Sequence, residues 1–295
     1  MTTLVQKYLS YLRYEKNYSL HTEISYSKDL AQFEEFLSEN LEGVSLVDVD
    51  LDVVRRWMAY LIEEGVKPRS VNRKLSALKS FYRYLVKLGE VKVNPLKRLV
   101  GPKVAKPIPS FVSDGDLEGV LVDRTDDDEF EKLRDRLIVE VLYLTGMRRA
   151  ELIGLKDVDV DFSMNQIRVT GKRNKQRLIP FGEGFANVLK EYVLMRDENV
   201  RDRTGYFFVR QNGNPLYPML VYRIVTDVLG TIPTLAKTSP HVLRHSFATE
   251  MLNDGAELNA VKELLGHSSL ASTEVYTHTS FEELKKNYKK AHPRA

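Results

Sequence analysis

Apolar residues return every three or four positions through most of the first hundred residues, which is the helical period. From Thr3 to Tyr14 the repeating residues are Leu4, Tyr8, Leu9 and Leu12. Thr22 can cap a second helix that turns Ile24, Leu30, Phe33 and Phe36 inward. A third helix is predicted near Leu51 to Glu64, stopping at Gly65. A fourth, Ser70 to Leu88, ends at Gly89 and carries a stripe of Val71, Leu75, Leu78, Tyr82 and Leu85, with Arg69, Arg73, Arg83 and Lys87 largely outside it. Periodicity then stops. Asn94 to Pro109 holds four prolines together with Lys97, Arg98, Lys103 and Lys106, and reads as a stiff basic linker.

Beyond it the pattern resumes in a different form. Ser113 is a plausible helix cap with Asp116 three residues later, and helices are predicted near Asp114–Val122 and Asp127–Leu144. Between Val158 and Phe181 the apolar residues shorten into strand-like runs: Val158, Val160, Ile167, Val169, Leu178 and Ile179. Ser163-Met164-Asn165 and the segment from Gly171 to Lys175 separate them as turns, which predicts a small three-stranded antiparallel sheet. Helices return at Gly184–Arg196, Leu220–Leu229 and Pro240–Leu252. The expected architecture is mainly α. A helical N-terminal domain spans 1–93, a linker 94–110, and a mixed α/β domain, mostly helix with the small sheet, 111–295.

Composition changes this picture in two places. The net charge of +3 hides a segregation: Val66 to Lys106 has twelve Lys or Arg and one acid, whereas Lys28 to Asp52 has eight acids and one lysine. A basic block of that size, interleaved with aromatics, is a candidate surface for a nucleic-acid backbone, although many such blocks are only solvated faces. The chain has no cysteine, which excludes disulfides, thiolate metal sites and cysteine nucleophiles. The N-terminus lacks the features of a leader, and no apolar run approaches the ~20 residues of a membrane span. A soluble, cytoplasmic protein without membrane contact is expected.

The candidate chemistry gathers around a few polar side chains. His241 and Arg244 are three apart after Ser239-Pro240, a good helix start, so both can face one site. Arg148 follows Thr145-Gly146-Met147 at a break after an apolar helix, with Glu151 three residues on to hold a neighbouring base. Lys172 sits in a tight turn between strands, where Arg173, Lys175 and Arg177 make a cationic tip that can enter a DNA groove. His267 follows Leu264-Leu265-Gly266, the glycine reading as a helix terminator, and Tyr276 comes nine residues later. Taken singly, each has an ordinary structural reading: a helix-start histidine, a salt-bridged arginine, a solvent-facing lysine, one tyrosine among fifteen. Taken together, they offer cationic donors for a phosphodiester, a tyrosine hydroxyl for covalent attack, and no metal motif.

The ordered set Thr-Gly-Met-Arg148-Arg-Ala-Glu151-Leu, Gly-Lys172, His241-Val-Leu-Arg244-His, Leu-Leu-Gly-His267 and Tyr276-Thr-His closely resembles the tyrosine recombinases, most of all the Xer type. The resemblance covers nearly the whole chain. Arg149 is one difference, since the family often has an aliphatic residue there.

The resemblance implies an N-terminal core-binding domain and a C-terminal catalytic domain that grip duplex DNA, with an exchange helix at 281–291 passed between protomers. It implies Tyr276 as nucleophile, Arg148 and Arg244 on the non-bridging phosphate oxygens, Lys172 as general acid, His241 assisting proton transfer, His267 hydrogen-bonded to the phosphate and Glu151 orienting this shell. DNA contacts are expected from Arg69, Arg73, Lys97, Arg98, Lys103, Lys106, Arg173 and Lys175. No cofactor or metal is implied. The implied partners are DNA with paired half-sites, three further copies in a tetramer, and a paralogous recombinase or a DNA translocase. The implied role is resolution of chromosome or plasmid dimers. A phage or mobile-element integrase, a type IB topoisomerase and a non-catalytic DNA-binding module are the alternatives.

Overall fold

In a computed structural model, the described residues are 2–104, 111–122, 130–171, 174–201 and 204–266. The chain divides into two compact units, Met1–Pro107 and Ile108–Ala295.

The first unit is four helices: α1 (Thr3–Ser10), α2 (Leu20–Asn40), α3 (Leu51–Glu63) and α4 (Pro68–Leu88). α1 does not run to Tyr14 as a plain α-helix. It widens into a π-helical turn over Tyr11–Glu15, which keeps Leu12 buried and lays Tyr11 against Tyr84 at 4.7 Å. α2 begins earlier than expected, because Ser19 and not Thr22 is the cap: its hydroxyl accepts the Thr22 N–H. Ile24 lies outside the buried stripe and is exposed, while Leu30, Phe33, Phe36 and Leu37 are buried. α4 starts at Pro68, whose ring suits the first helical turn. It ends at Gly89, where the backbone is left-handed (φ 79°). The core centres on Trp57, fully buried and edge-on to Phe33 at 4.8 Å.

The expected linker is not free over its first half. Leu96 is buried in this core, Asn94 donates to the Lys79 carbonyl at 3.0 Å, and Asn72 donates to the Pro102 carbonyl at 2.9 Å. Arg69, Lys97, Arg98 and Lys103 are exposed on this unit. Arg73 is exposed as well, but its guanidinium reaches back to Asp29, which Lys74 meets from the other side at 3.2 Å. Lys106 lies outside the described residues.

The second unit contains α5 (Asp114–Val122), α6 (Phe130–Thr145), α7 (Arg149–Ile153), β1 (Val160–Asp161), β2 (Gln166–Thr170), β3 (Gln176–Pro180), α8 (Glu183–Asn199), α9 (Pro218–Leu229), α10 (Pro240–Asn253) and α11 (Leu258–Leu265). The sheet is antiparallel in the order β1-β2-β3, with Ile167 opposite Ile179. The edge strand is shorter than the pattern implied. Val158, expected in it, sits in a 3₁₀ turn over Asp157–Asp159 and is 78% exposed. α6 is buried along most of its length, because the helices on either side, α8 and α10, both pack on it. Asp127, the expected start of α6, lies outside the described residues. No helix among the described residues is long and apolar enough to cross a membrane.

Asp29 ties α2 to α4 through a carboxylate that is 1% exposed. Removing one partner of a buried ion pair leaves the other charge uncompensated, at a cost of several kcal/mol when both are buried. Arg73 is half exposed, so the cost here is smaller. Asp29→Ala is expected to destabilise this unit by about 2 kcal/mol. The lone tryptophan, Trp57, lies in the same core and reports the change by fluorescence in a urea titration. An unaltered midpoint would show that the pair contributes nothing.

Candidate active site

The site is built where four elements of the second unit meet: the break after α6, the start of α7, the start of α10 and the end of α11. Gly146 makes the break. Its φ is +58°, and a Cβ there would lie 2.5 Å from Phe247 Cδ1 and 2.9 Å from Leu265 Cδ2. The residue must therefore be glycine, both for the left-handed turn and for the close approach of α10 and α11. Two residues on, Arg148 occupies the N-cap position of α7. Its backbone N–H donates to Glu151 Oε2 at 2.7 Å and its Nη1 to Glu151 Oε1 at 2.8 Å.

Pro240 opens α10 and places His241 and Arg244 on one face. Arg148, Arg149, Tyr222, Ser239, His241 and Arg244 line a cleft of about 210 Å³. His241 is exposed at its mouth, and Arg244 is 8% exposed. Arg149 Nη1 donates to the Pro218 carbonyl at 3.1 Å.

The end of α11 is held by three different arginines. Arg177 Nε donates to the Leu264 carbonyl at 2.6 Å, Arg244 Nη2 to Leu265 at 2.6 Å, and Arg148 Nη2 to Gly266 at 3.3 Å. Carbonyls in the last helical turn lack backbone donors and sit at the negative end of the helix dipole, so they suit guanidinium groups. Arg244 also donates to the Gly146 carbonyl at 2.6 Å, which links the two breaks.

Among the described residues, one carboxylate balances this charge. Glu151 is 4% exposed at its side chain. Burial pushes its carboxyl up, but hydrogen bonds from Arg177 and from the Arg148 backbone, with the charge of Arg177, outweigh that and hold it below its ordinary range. Burial, with Arg148 close by, draws the Arg244 guanidinium down to about 10, against the opposing pull of Glu151. It remains cationic at neutral pH. Two guanidinium groups so crowded are relieved by an anion in the cleft they share.

Of the residues singled out from the sequence, Arg148, Glu151, His241 and Arg244 come together in this way. Lys172, Arg173, His267 and Tyr276 lie outside the described residues, as does the segment 281–291. Lys175 is exposed. Arg177 corrects an expectation: it does not project from the hairpin tip but turns inward to Glu151 and α11. The signal was present in the strand alternation, since Arg177 is in phase with Ile179, which is fully buried. The three helix-end carbonyls had no signal in side-chain motifs.

The chain matches the phage integrase family over residues 120–283 and the phage integrase N-terminal SAM-like domain over residues 5–89. The tyrosine recombinase XerC of Chlorobaculum parvum is 41% identical over 317 residues, with 99% of this chain and 94% of that protein covered. The tyrosine recombinase XerC of Staphylococcus saprophyticus is 39% identical, with 100% and 99% covered. The chain belongs to the phage integrase family of tyrosine recombinases. It is a site-specific recombinase of the Xer type. Among solved structures, the XerH site-specific recombinase bound to a palindromic difH substrate after cleavage is similar at a TM-score of 0.72 and 25% identity, over 96% of this chain and 82% of that one. The Tn1549 transposon integrase in complex with transposon right end DNA has the same fold, with a TM-score of 0.72 at 21% identity, over 97% of this chain and 99% of that one.

Gly146→Ala is expected to cost about 2–4 kcal/mol, the sum of a left-handed residue with a Cβ and an overpacked core. Circular dichroism melts of the full chain measure it. A melting temperature within a degree of the parent would contradict the packing described.

Proposed function

We propose that the cleft binds the scissile phosphate of duplex DNA and that the protein cuts and rejoins strands through a 3′-phosphotyrosyl link. The convergence of Arg148 and Arg244 on one cleft, both tied to the end of α11, carries this reading. Chain order supports it further, because His267 follows Gly266 directly and Tyr276 comes nine residues later.

In this mechanism the Tyr276 hydroxyl attacks phosphorus, and the bond to the 5′ oxygen breaks. Arg148 and Arg244 neutralise the non-bridging oxygens as charge grows there. Losing one such donor typically costs about 10²–10³-fold in rate. His241 at the mouth of the cleft assists proton transfer at the tyrosine, and His267 adds a hydrogen bond to the phosphate. Lys172 donates the proton that the departing 5′ oxygen takes up. Gly171, the residue before it, lies against Glu151: a Cβ at Gly171 would be 3.3 Å from Glu151 Oε1. The phosphotyrosine conserves the bond energy, and the 5′-hydroxyl of a partner strand reverses the attack to complete exchange.

The exposed Arg69, Lys97, Arg98, Lys103 and Lys175, with Lys106 and Arg173, follow the DNA backbone. Arg73 does so only with the charge that Asp29 leaves it. The DNA carries paired half-sites, and four protomers assemble on two such DNAs, exchanging the segment 281–291. Resolution of chromosome or plasmid dimers fits the Xer naming of the relatives. A paralogous recombinase or a DNA translocase as partner, and the cytoplasm as location, complete the proposal.

The target site is obtained by sequencing DNA recovered from the trapped covalent complex. On a nicked duplex carrying that site, Tyr276→Phe is expected to keep DNA affinity and abolish the covalent band on a denaturing gel. A band that persists rejects Tyr276 as nucleophile. Lys172→Ala is expected to slow cleavage of ordinary DNA far more than cleavage of DNA with a 5′-bridging sulfur, since a thiolate leaves unprotonated. Equal slowing on both would reduce Lys172 to a binding group.

A further inference from the structure

Arg177 has none of the roles above, yet its guanidinium holds two parts of the site at once. Its side chain is 11% exposed. Nη1 and Nη2 fork onto the two oxygens of Glu151 at 3.1 and 2.8 Å. The same carboxylate also accepts from the backbone N–H and Nη1 of Arg148, so Arg177 and Arg148 share it. The remaining edge of the group, Nε, donates to the Leu264 carbonyl in the last turn of α11. The surroundings are close-fitting on both sides. A Cβ at Gly266 would lie 3.3 Å from Arg177 Nη1, and one at Gly171 would lie 3.3 Å from Glu151 Oε1. A planar fork serves a carboxylate and a carbonyl in two fixed directions, which a lysine ammonium cannot reproduce.

We infer that Arg177 is a positioning residue for strand cleavage, setting Glu151 and through it Arg148, and holding the end of α11 from which His267 follows. The inference rests on the cleft being the phosphoryl-transfer site. Arg177 touches no reacting atom in this scheme; it acts through the groups that do. It also governs the protonation of Glu151. Among the described residues, the charged groups facing that carboxyl are Arg148 at the start of its own helix, Arg177 from β3 and Arg244 from α10. A carboxyl held low contributes stability above its unfolded value, near 4.5, and loses it as pH falls through the lower folded value. Without Arg177, burial is opposed by less, so Glu151 takes up its proton at a higher pH.

The test uses the full-length protein and the nicked duplex bearing the site that the wild type cleaves. Arg177→Met is expected to cleave about 30–100-fold more slowly, the scale of a small misplacement of reacting groups, with duplex affinity unchanged within about threefold. The acid limb of its cleavage rate is expected to move up by about one pH unit, as a carboxyl losing its main partner does. Combining it with Glu151→Gln should flatten that limb without restoring the rate. Arg177→Lys, which keeps the charge, should be about tenfold slow with an unchanged melting temperature. A rate within threefold of wild type in either folded variant overturns the proposal, as does slower cleavage with an unmoved acid limb in Arg177→Met. Should the Met variant fail to fold, the Lys variant decides by its rate. If the wild type forms no covalent complex, the recombinase mechanism fails on its own. Acid-induced unfolding without DNA then still tests the link from Arg177 to Glu151, and an unshifted midpoint in Arg177→Met breaks it.

Discussion

Three guanidinium groups, from Arg148, Arg177 and Arg244, crowd between α7, β3, α10 and α11, and like charges in a partly buried space repel. Two acceptors of different kinds make the crowding stable. Glu151 takes up charge from Arg148 and Arg177, and the last carbonyls of α11 take one donor from each arginine. Sheet hairpin, helix start and helix end are thereby fixed relative to one another by hydrogen bonds rather than by apolar packing alone. Under the proposed function, a phosphate would meet donors already aimed, leaving little reorganisation for the transition state.

The same constraint explains the backbone around the site. Gly146 and Gly266 adopt left-handed conformations where α6 and α11 end, and both expose carbonyls to arginines. At each, a Cβ would press on a neighbour: Phe247 and Leu265 for Gly146, Arg177 for Gly266. Strain-free turning and close approach are thus required at the same residues. The chain that follows Gly266, with His267 and Tyr276, begins from a point tied to the arginines of the cleft.

The N-terminal unit repeats the logic on a smaller scale. Asp29 is buried between α2 and α4 and takes Arg73 and Lys74, leaving Arg69, Lys97, Arg98 and Lys103 to face outward. The acidic Lys28–Asp52 and basic Val66–Lys106 stretches are therefore not independent patches. One acid of the first partly neutralises two bases of the second.

Most helices of both units, the three-stranded antiparallel sheet and the separate pairs Arg148–Glu151 and His241–Arg244 were legible in the chain because they rest on local rules; that the two pairs share one cleft was implied only by the resemblance, since they lie far apart in sequence. Apolar period, proline at helix starts, glycine at helix ends and i to i+3 spacing act within a few residues. Element edges were less legible: Ser19 displaced Thr22 as the cap of α2, and Val158 fell into a 3₁₀ turn, since neighbouring packing decides which of two adequate local choices wins. The first half of the expected linker docks on its own unit for the same reason, as Leu96 finds an apolar core. Arg177 shows the boundary most sharply. In sequence it belongs to a run of cations at a hairpin, and charge alone places it in solvent. Only the tertiary structure brings Glu151 and the bare end of α11 within its reach, because those partners lie 26 and 87 residues away along the chain. Residue types and spacings determined which chemistry the protein carries; long-range hydrogen bonds to backbone carbonyls, which no side-chain pattern encodes, decided how that chemistry is held in place.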